Sequence, residues 1–239
     1  MPIARFPVYA GRAMHRTIFI GDVHGCLAEL EELLSGCGYT QGDRVVLAGD
    51  LVAKGPDSLG VLRLAERIGA QAVRGNHDHA VLRWRDTPAN LAPERATHHY
   101  QVARQLDEDA WQLLASFPLF LRLPAHQAIV VHGGLVPGVA LERQEPDLLM
   151  NMRTLRADGS GSRRADDGAL WGSQWPGPEL VIFGHHAMAG LQRHAHAIGL
   201  DTGCVYGGRL TAYALPDDRL FSVPARCVYA NADTERKSH

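Results

Sequence analysis

The chain has 239 residues, of which 46% are hydrophobic and 21% charged, and its net charge is −2. That length supports one large core, and α/β chains of this size commonly form a single unit. The near-neutral balance excludes a global basic field for bulk nucleic-acid binding, and the apolar runs are strand-length, far short of a membrane span.

One domain over residues 1–239 is expected, with a helical insertion at about 80–115 and a polar tail, frayed from about 231. Met1 to Ala10 lacks the charged start and apolar stretch of a secretory signal, so a cytoplasmic protein is expected. Cys26, Cys37, Cys204 and Cys227 contain no C-x-x-C pair and read as free thiols. Only Lys54 and Lys237 are lysines among 24 basic residues, and there are 13 histidines.

In chain order, Thr17 to Ile20 is a β-branched and aromatic run, a strand. Leu27, Leu30, Leu33 and Leu34 have helical spacing, closed by Gly36 and Gly38. Arg44 to Leu47 is a second strand. Asp57 or Ser58 caps a helix with the stripe Leu59, Leu62, Ala65 and Ile68. Gln71 to Val73 is a third strand. This β-α-β-α-β order predicts a mainly parallel sheet. Ala80 to Ala115 reads helical, Leu119 to Leu123 and Ala128 to Val131 as strands, and Ala157 to Pro178 as a long loop. Leu180 to Phe183, Leu210 to Leu215 and Leu220 to Val223 are strands, the last two antiparallel.

Five strands end alike: an apolar run, a glycine, then metal-type donors. The ends are GDVHG (Gly21 to Gly25), GD (Gly49, Asp50), RGNHD (Arg74 to Asp78), HGG (His132 to Gly134) and GHH (Gly184 to His186). They present Asp22, His24, Asp50, Asn76, His77, Asp78, His132, His185 and His186. In open α/β sheets the carboxyl ends of the strands line one crevice, so these residues meet. Mixed N and O donors suit manganese, iron or zinc better than calcium. Asp50 offers two oxygens and can bridge two ions, and six or more donors suit a two-metal site with ions roughly 3.5–4 Å apart. His15, His79, His98, His99, His126, His194, His196 and His239 read as packing or surface residues.

GDVHG, GDLVAKGP, GNHD, HGG and GHH, in this order, resemble the metallophosphoesterases of the phosphoprotein-phosphatase type. GDLVAKGPDSLGVLR and LDTGCVYGGRLTA resemble the symmetrical diadenosine tetraphosphatases and their ApaH-like relatives, with Lys54 standing where Arg is usual. The resemblance spans Ile18 to about Ala214. It implies an α/β fold, a β-sandwich flanked by helices in four α-β-β-α layers.

It also implies roles. Asp22, His24 and Asp50 would hold a first divalent ion, and Asp50, Asn76, His132 and His185 a second. Manganese is the expected metal, with iron, cobalt or zinc as alternatives. His77 would be the general acid, Lys54 and Arg153 would bind phosphate oxygens, and Tyr206 would border the site. The implied reaction is symmetrical hydrolysis of diadenosine tetraphosphate to two ADP, with activity on phosphomonoesters as well. The protein phosphatases of the family carry Asp before the phosphate-binding Arg, and this chain has Ala53. A nucleoside diphosphate leaves more easily than an alkoxide and needs a weaker acid, so phosphoanhydrides are the expected substrates.

The expected partner is a nucleotide polyphosphate, with no membrane involved. The rival readings are a Ser/Thr or Tyr protein phosphatase, an enzyme removing dinucleotide-like caps from RNA 5′ ends, and a nucleotide-sensing module without turnover. Trp171, Trp175, Tyr206 or the 80–115 segment could stack an adenine, or the tryptophans could pack under a loop. Arg156, Arg163 and Arg164 either guide a polyphosphate or form a solvated charged loop.

Overall fold

The computed structural model describes residues 16–85, 87 and 98–231. The first part alternates as the sequence predicts: β1 (Thr17–Ile20), α1 (Leu27–Gly36), β2 (Arg44–Leu47), α2 (Ser58–Arg67) and β3 (Gln71–Ala72). β1, β2 and β3 run parallel in that order. Asp57 is the cap of α2, accepting from the Gly60 amide at 2.7 Å. Successive strand side chains point to opposite faces. Ile18, Ile20, Val45 and Leu47 therefore join one core with Leu30 and Leu33 of α1 and Val61 and Leu62 of α2, while Phe19 and Val46 enter another. Full burial of a side chain such as Phe19 contributes roughly 1.5–3 kcal/mol.

The 80–115 segment, where described, is broken rather than continuous. α3 (Asn76–Leu82), α4 (His98–Ala103) and α5 (Glu108–Ser116) are short helices. Residues 86 and 88–97, within that expectation, lie outside the described residues, as do His15, His239 and the expected tail from 232.

The remaining elements are β4 (Phe120–Leu123), β5 (Ala128–Val131), α6 (Pro146–Asn151), β6 (Thr154–Leu155), β7 (Gly161–Ser162), β8 (Ala169–Leu170), α7 (Trp171–Gln174), β9 (Leu180–Phe183), β10 (Gln192–Arg193), β11 (Ala197–Gly199), β12 (Arg209–Leu215) and β13 (Arg219–Pro224). One sheet has the order β13-β12-β1-β2-β3, with β12 antiparallel to both β1 and β13. The other has the order β10-β11-β9-β5-β4, with β5, β9 and β11 parallel and both edges antiparallel.

The inner faces meet through Phe19, Val46 and Tyr213 on one side and Val130, Ile182 and Ile198 on the other. The outer face of the second sheet buries Ile129, Val131, Val181 and Phe183 against Leu149, Met152 and Trp171. Helices thus cover both outer faces, the four-layer α-β-β-α order.

Ala157 to Pro178 corrects the loop expectation. It carries β7, β8 and α7, and its first two elements form a three-stranded sheet with β6. Strands of two residues leave no periodic signal, and here they are set by pairing with a neighbour. Trp171 is buried against Phe183, and its Nε1–H donates to the Gly133 carbonyl at 2.9 Å. Trp175 donates to the Glu179 carbonyl at 3.0 Å. Both tryptophans pack. Arg156 and Arg164 pair with Asp167 and Asp166, and Arg163 with Asp147 of α6, on a solvated charged surface. Cys26, Cys37, Cys204 and Cys227 are free thiols.

Candidate metal centre

The carboxyl ends of β1, β2, β5 and β9, and the loop after β3, converge at one rim. The organiser is Asp78, in the first turn of α3 and with no exposed surface. One carboxylate oxygen accepts from the amides of Leu51 and Val52 at 2.9 and 3.2 Å. The other accepts from Asp50 and Gly75, both at 2.9 Å. This stitches the loop after β2 to the start of α3. Burial and the nearby Asp50 push the Asp78 carboxyl up to about 6, while the amides favour its ionised form.

Asp50 lies at the middle. Its Oδ1 accepts from the His77 amide at 2.8 Å. Its Oδ2 lies 3.5 Å from His24 Nε2 and 3.3 Å from His132 Nε2. Burial alone would raise its pKa, yet His132, His77 and His24 hold it well below the usual carboxylate range. Asn76 Oδ1 lies 3.0 Å from His132 Nε2 and 2.9 Å from His185 Nδ1. Asp22 accepts from the His185 amide at 3.1 and 3.2 Å. Burial first, then Asp201 and Asp50, push its carboxyl well up. Among the described residues two ligand clusters result, His24–Asp50–His77 and Asp22–Asp50–His132, each with donor atoms within 4.8 Å of one another. They share Asp50.

These donors fit divalent cations. A ligating imidazole gives its other nitrogen to a carbonyl or carboxylate, which fixes the tautomer. Here His132 Nδ1 meets the Ala48 carbonyl at 2.8 Å and His24 Nδ1 the Val52 carbonyl at 3.2 Å. His185 Nε2 meets the Asn151 carbonyl at 3.0 Å. In each ring the opposite nitrogen faces the centre, toward Asn76 or Asp50. Burial holds His24 and His185 well below their ordinary pKa, the neutral state a ligand needs.

Backbone strain is concentrated here too. Among the described residues seven non-glycine positions have positive φ, and His24, Asp50, Ala53, Lys54 and His185 are five of them. Such conformations cost on the order of 1–3 kcal/mol each and cluster at functional sites. Gly75 and Gly184 are required for another reason: a Cβ on either would strike Asp50 or Asp22.

The other predicted residues surround this core. Lys54 Nζ donates to the Tyr206 hydroxyl at 2.6 Å and lies 3.5 Å from His24 Nε2. Arg153 donates to the Arg163 carbonyl at 2.8 Å, and burial first, then its charge, lower the pKa of both His185 and His186. Lys54 thus lies beside His24, and Arg153 is near enough to His185 for its charge to be felt there. His77 sits with its ring centroid 5.0 Å from that of His24.

Two histidines expected to be packing or surface residues belong here instead. His98 Nδ1 accepts from the Lys54 amide at 2.7 Å, and His99 Nε2 meets His77 Nδ1 at 2.7 Å. Burial first, then His77, hold His99 down at about 4, so its ring is neutral. No spacing in the sequence links residues 98–99 to 77 or 54; α4 brings them together in three dimensions. Asp78 carried no assigned role in the sequence, although its place in GNHD marked it.

Paired sheets with helices outside, and strand ends presenting Asp, His and Asn around a shared carboxylate, define the metallophosphoesterase class. The chain belongs to the calcineurin-like phosphoesterase family, whose profile matches residues 15–206. It is 32% identical to a bis(5′-nucleosyl)-tetraphosphatase, symmetrical, of Serratia proteamaculans, over 87% of this chain and 94% of that one. It is 29% identical to a bis(5′-nucleosyl)-tetraphosphatase PrpE, asymmetrical, of Oceanobacillus iheyensis, over 87% and 91%. A solved structure described as a candidate diadenosine tetraphosphatase superposes with a TM-score of 0.81 at 42% identity, covering 88% of this chain and 94% of that one. Among the described residues no helix is long and apolar enough to cross a membrane.

Proposed function

We propose that this protein is a two-metal hydrolase of dinucleoside tetraphosphates, cutting diadenosine tetraphosphate symmetrically to two ADP. The observation that carries the reading is Asp50, whose one oxygen lies within 3.5 Å of His24 and His132 together. Asp22, His24 and Asp50 would hold one ion, and Asp50, Asn76, His132 and His185 the other. Manganese is the preferred metal. Bound there, the ions supply Lewis-acid charge and a nucleophile from water near neutral pH.

The chain's own residues do the rest. Lys54 and Arg153 neutralise the non-bridging phosphate oxygens as charge builds in the transition state. Tyr206 orients the Lys54 ammonium through its hydroxyl. His77 gives its proton to the departing phosphate oxygen. Ala53 places no carboxylate behind His77, and a nucleoside diphosphate leaving group asks less of the acid than an alkoxide does. The relatives' printed names, both symmetrical and asymmetrical, support the substrate class.

The test is product analysis of diadenosine tetraphosphate incubated with the manganese-loaded protein. Two ADP are expected. ATP plus AMP would overturn the symmetrical cut, and no turnover would overturn the substrate class.

A further inference from the structure

We infer that His99, on α4, is a positioning residue that holds the His77 ring in its proton-donating orientation; this rests on the acid role proposed for His77. The inference starts from a contact between elements far apart in sequence. His77 Nδ1 and His99 Nε2 are 2.7 Å apart, a full hydrogen bond, and their rings lie 5.0 Å apart at 26°. An acid that delivers a proton from one ring nitrogen needs a partner at the other to fix its rotation and tautomer.

The Asp50 carboxylate is taken up by the His77 backbone amide and by the neighbouring imidazoles. Ala53, beside Lys54, has only a methyl group to offer. In the arrangement we infer, His99 Nε2 accepts from the Nδ1–H of His77 across the 2.7 Å contact, and His77 directs Nε2 to the leaving oxygen.

α4 is itself fixed at the site by a second contact. His98 Nδ1 accepts from the backbone amide of Lys54, a residue in the left-handed region at φ 68°. Two successive histidines of one helix thus engage the acid and the phosphate-binding loop. α4 packs against α3, which carries His77 at its start. The 98–103 helix is on this reading a wall of the active site rather than an appendage.

The experiment combines a spectrum with a mutant cycle. In the 15N NMR spectrum of the full chain, the His77 imidazole should report a fixed tautomer in the wild type and a redistributed one in His99→Ala; an unchanged His77 signal would overturn the inference. General acids contribute typically 10²–10⁴-fold, so loss of orientation should lower kcat for diadenosine tetraphosphate about 10-fold to 100-fold. KM should stay within about twofold, because the contact acts on the reacting proton and not on binding. In a His77→Ala background, His99→Ala should cost nothing further; losses that multiply would overturn the inference and leave the acid role standing. His77→Ala with undiminished kcat would overturn the acid role, and this inference with it. His99→Gln offers an amide oxygen to the same Nδ1–H and should recover part of the lost kcat. If His99→Gln is as impaired as His99→Ala while both show wild-type circular dichroism, the hydrogen bond is not what matters.

Discussion

Replacing Asp78 by Asn keeps the shape of the side chain and removes half of its accepting capacity. Each carboxylate oxygen serves two buried amides: Leu51 and Val52 on one, Asp50 and Gly75 on the other. Whichever oxygen becomes an NH2 group, two amides lose their acceptor and face a donor. A buried donor left without a partner costs roughly 1–3 kcal/mol, so the pair costs about 2–6 kcal/mol. Domains of this kind have about 5–15 kcal/mol in all, so the variant should still fold in part or wholly at low temperature. The damage should also be catalytic, because Asp78 holds Asp50 at φ 51°, a conformation the chain does not favour unaided. Urea unfolding at pH 8 should show the midpoint falling by an amount matching that cost. kcat/KM, measured at a temperature where the variant is folded, should fall with it. A variant within about 1 kcal/mol of wild type and fully active would refute the view that this carboxylate organises the centre.

Three further predictions follow from the same geometry. Gly75→Ala should fold less stably and bind metal poorly, because its Cβ would displace Asp50; wild-type metal affinity by calorimetry would contradict the packing. Lys54→Ala should lose about 10²–10³-fold in kcat, as removal of a transition-state donor does, while Lys54→Arg stays active with altered phosphate affinity; steady-state kinetics would show it, and an unimpaired Lys54→Ala would place the ammonium outside the reaction. Burial and His77 lower the His99 pKa from 6.5 to about 4, so the folded chain binds fewer protons than the unfolded one in that window. Stability from this group is present above pH 6.5 and is lost as pH falls towards 4. The stability difference between the metal-free wild type and His99→Gln should therefore shrink across that range in urea titrations, and a constant difference would contradict the shift.

The legible part of this protein is the part where chemistry sits at strand ends. GDVHG, GD, GNHD, HGG and GHH each couple a short apolar run to a glycine and donors, so the sequence shows both the strand and the residues it delivers. The convergence of Asp22 on His185, 163 residues away, joins the ends of β1 and β9, which lie in the two different sheets of the sandwich. What the sequence hides is set by tertiary contact. β6, β7 and β8 are two residues each, too short for any period, and exist because they pair. β10 and β11 lie in a histidine- and glycine-containing stretch with no clear alternation. His98 and His99 look like two more histidines in a chain rich in them, and only the packing of α4 against α3 reveals what they touch. Lys54 stood out as one of two lysines, and its contacts with Tyr206 and beside His24 put it within the same centre.

The central claim is that one carboxylate, Asp50, joins two ion positions. Titration of the metal-free protein with Mn2+, read by calorimetry and by metal analysis after gel filtration, tests it directly. Two ions per chain are predicted for the wild type, and loss of both tight sites in Asp50→Asn, with hydrolysis of diadenosine tetraphosphate lost in parallel. A wild type that saturates with a single ion, or an Asp50→Asn variant that still binds two, would contradict the account.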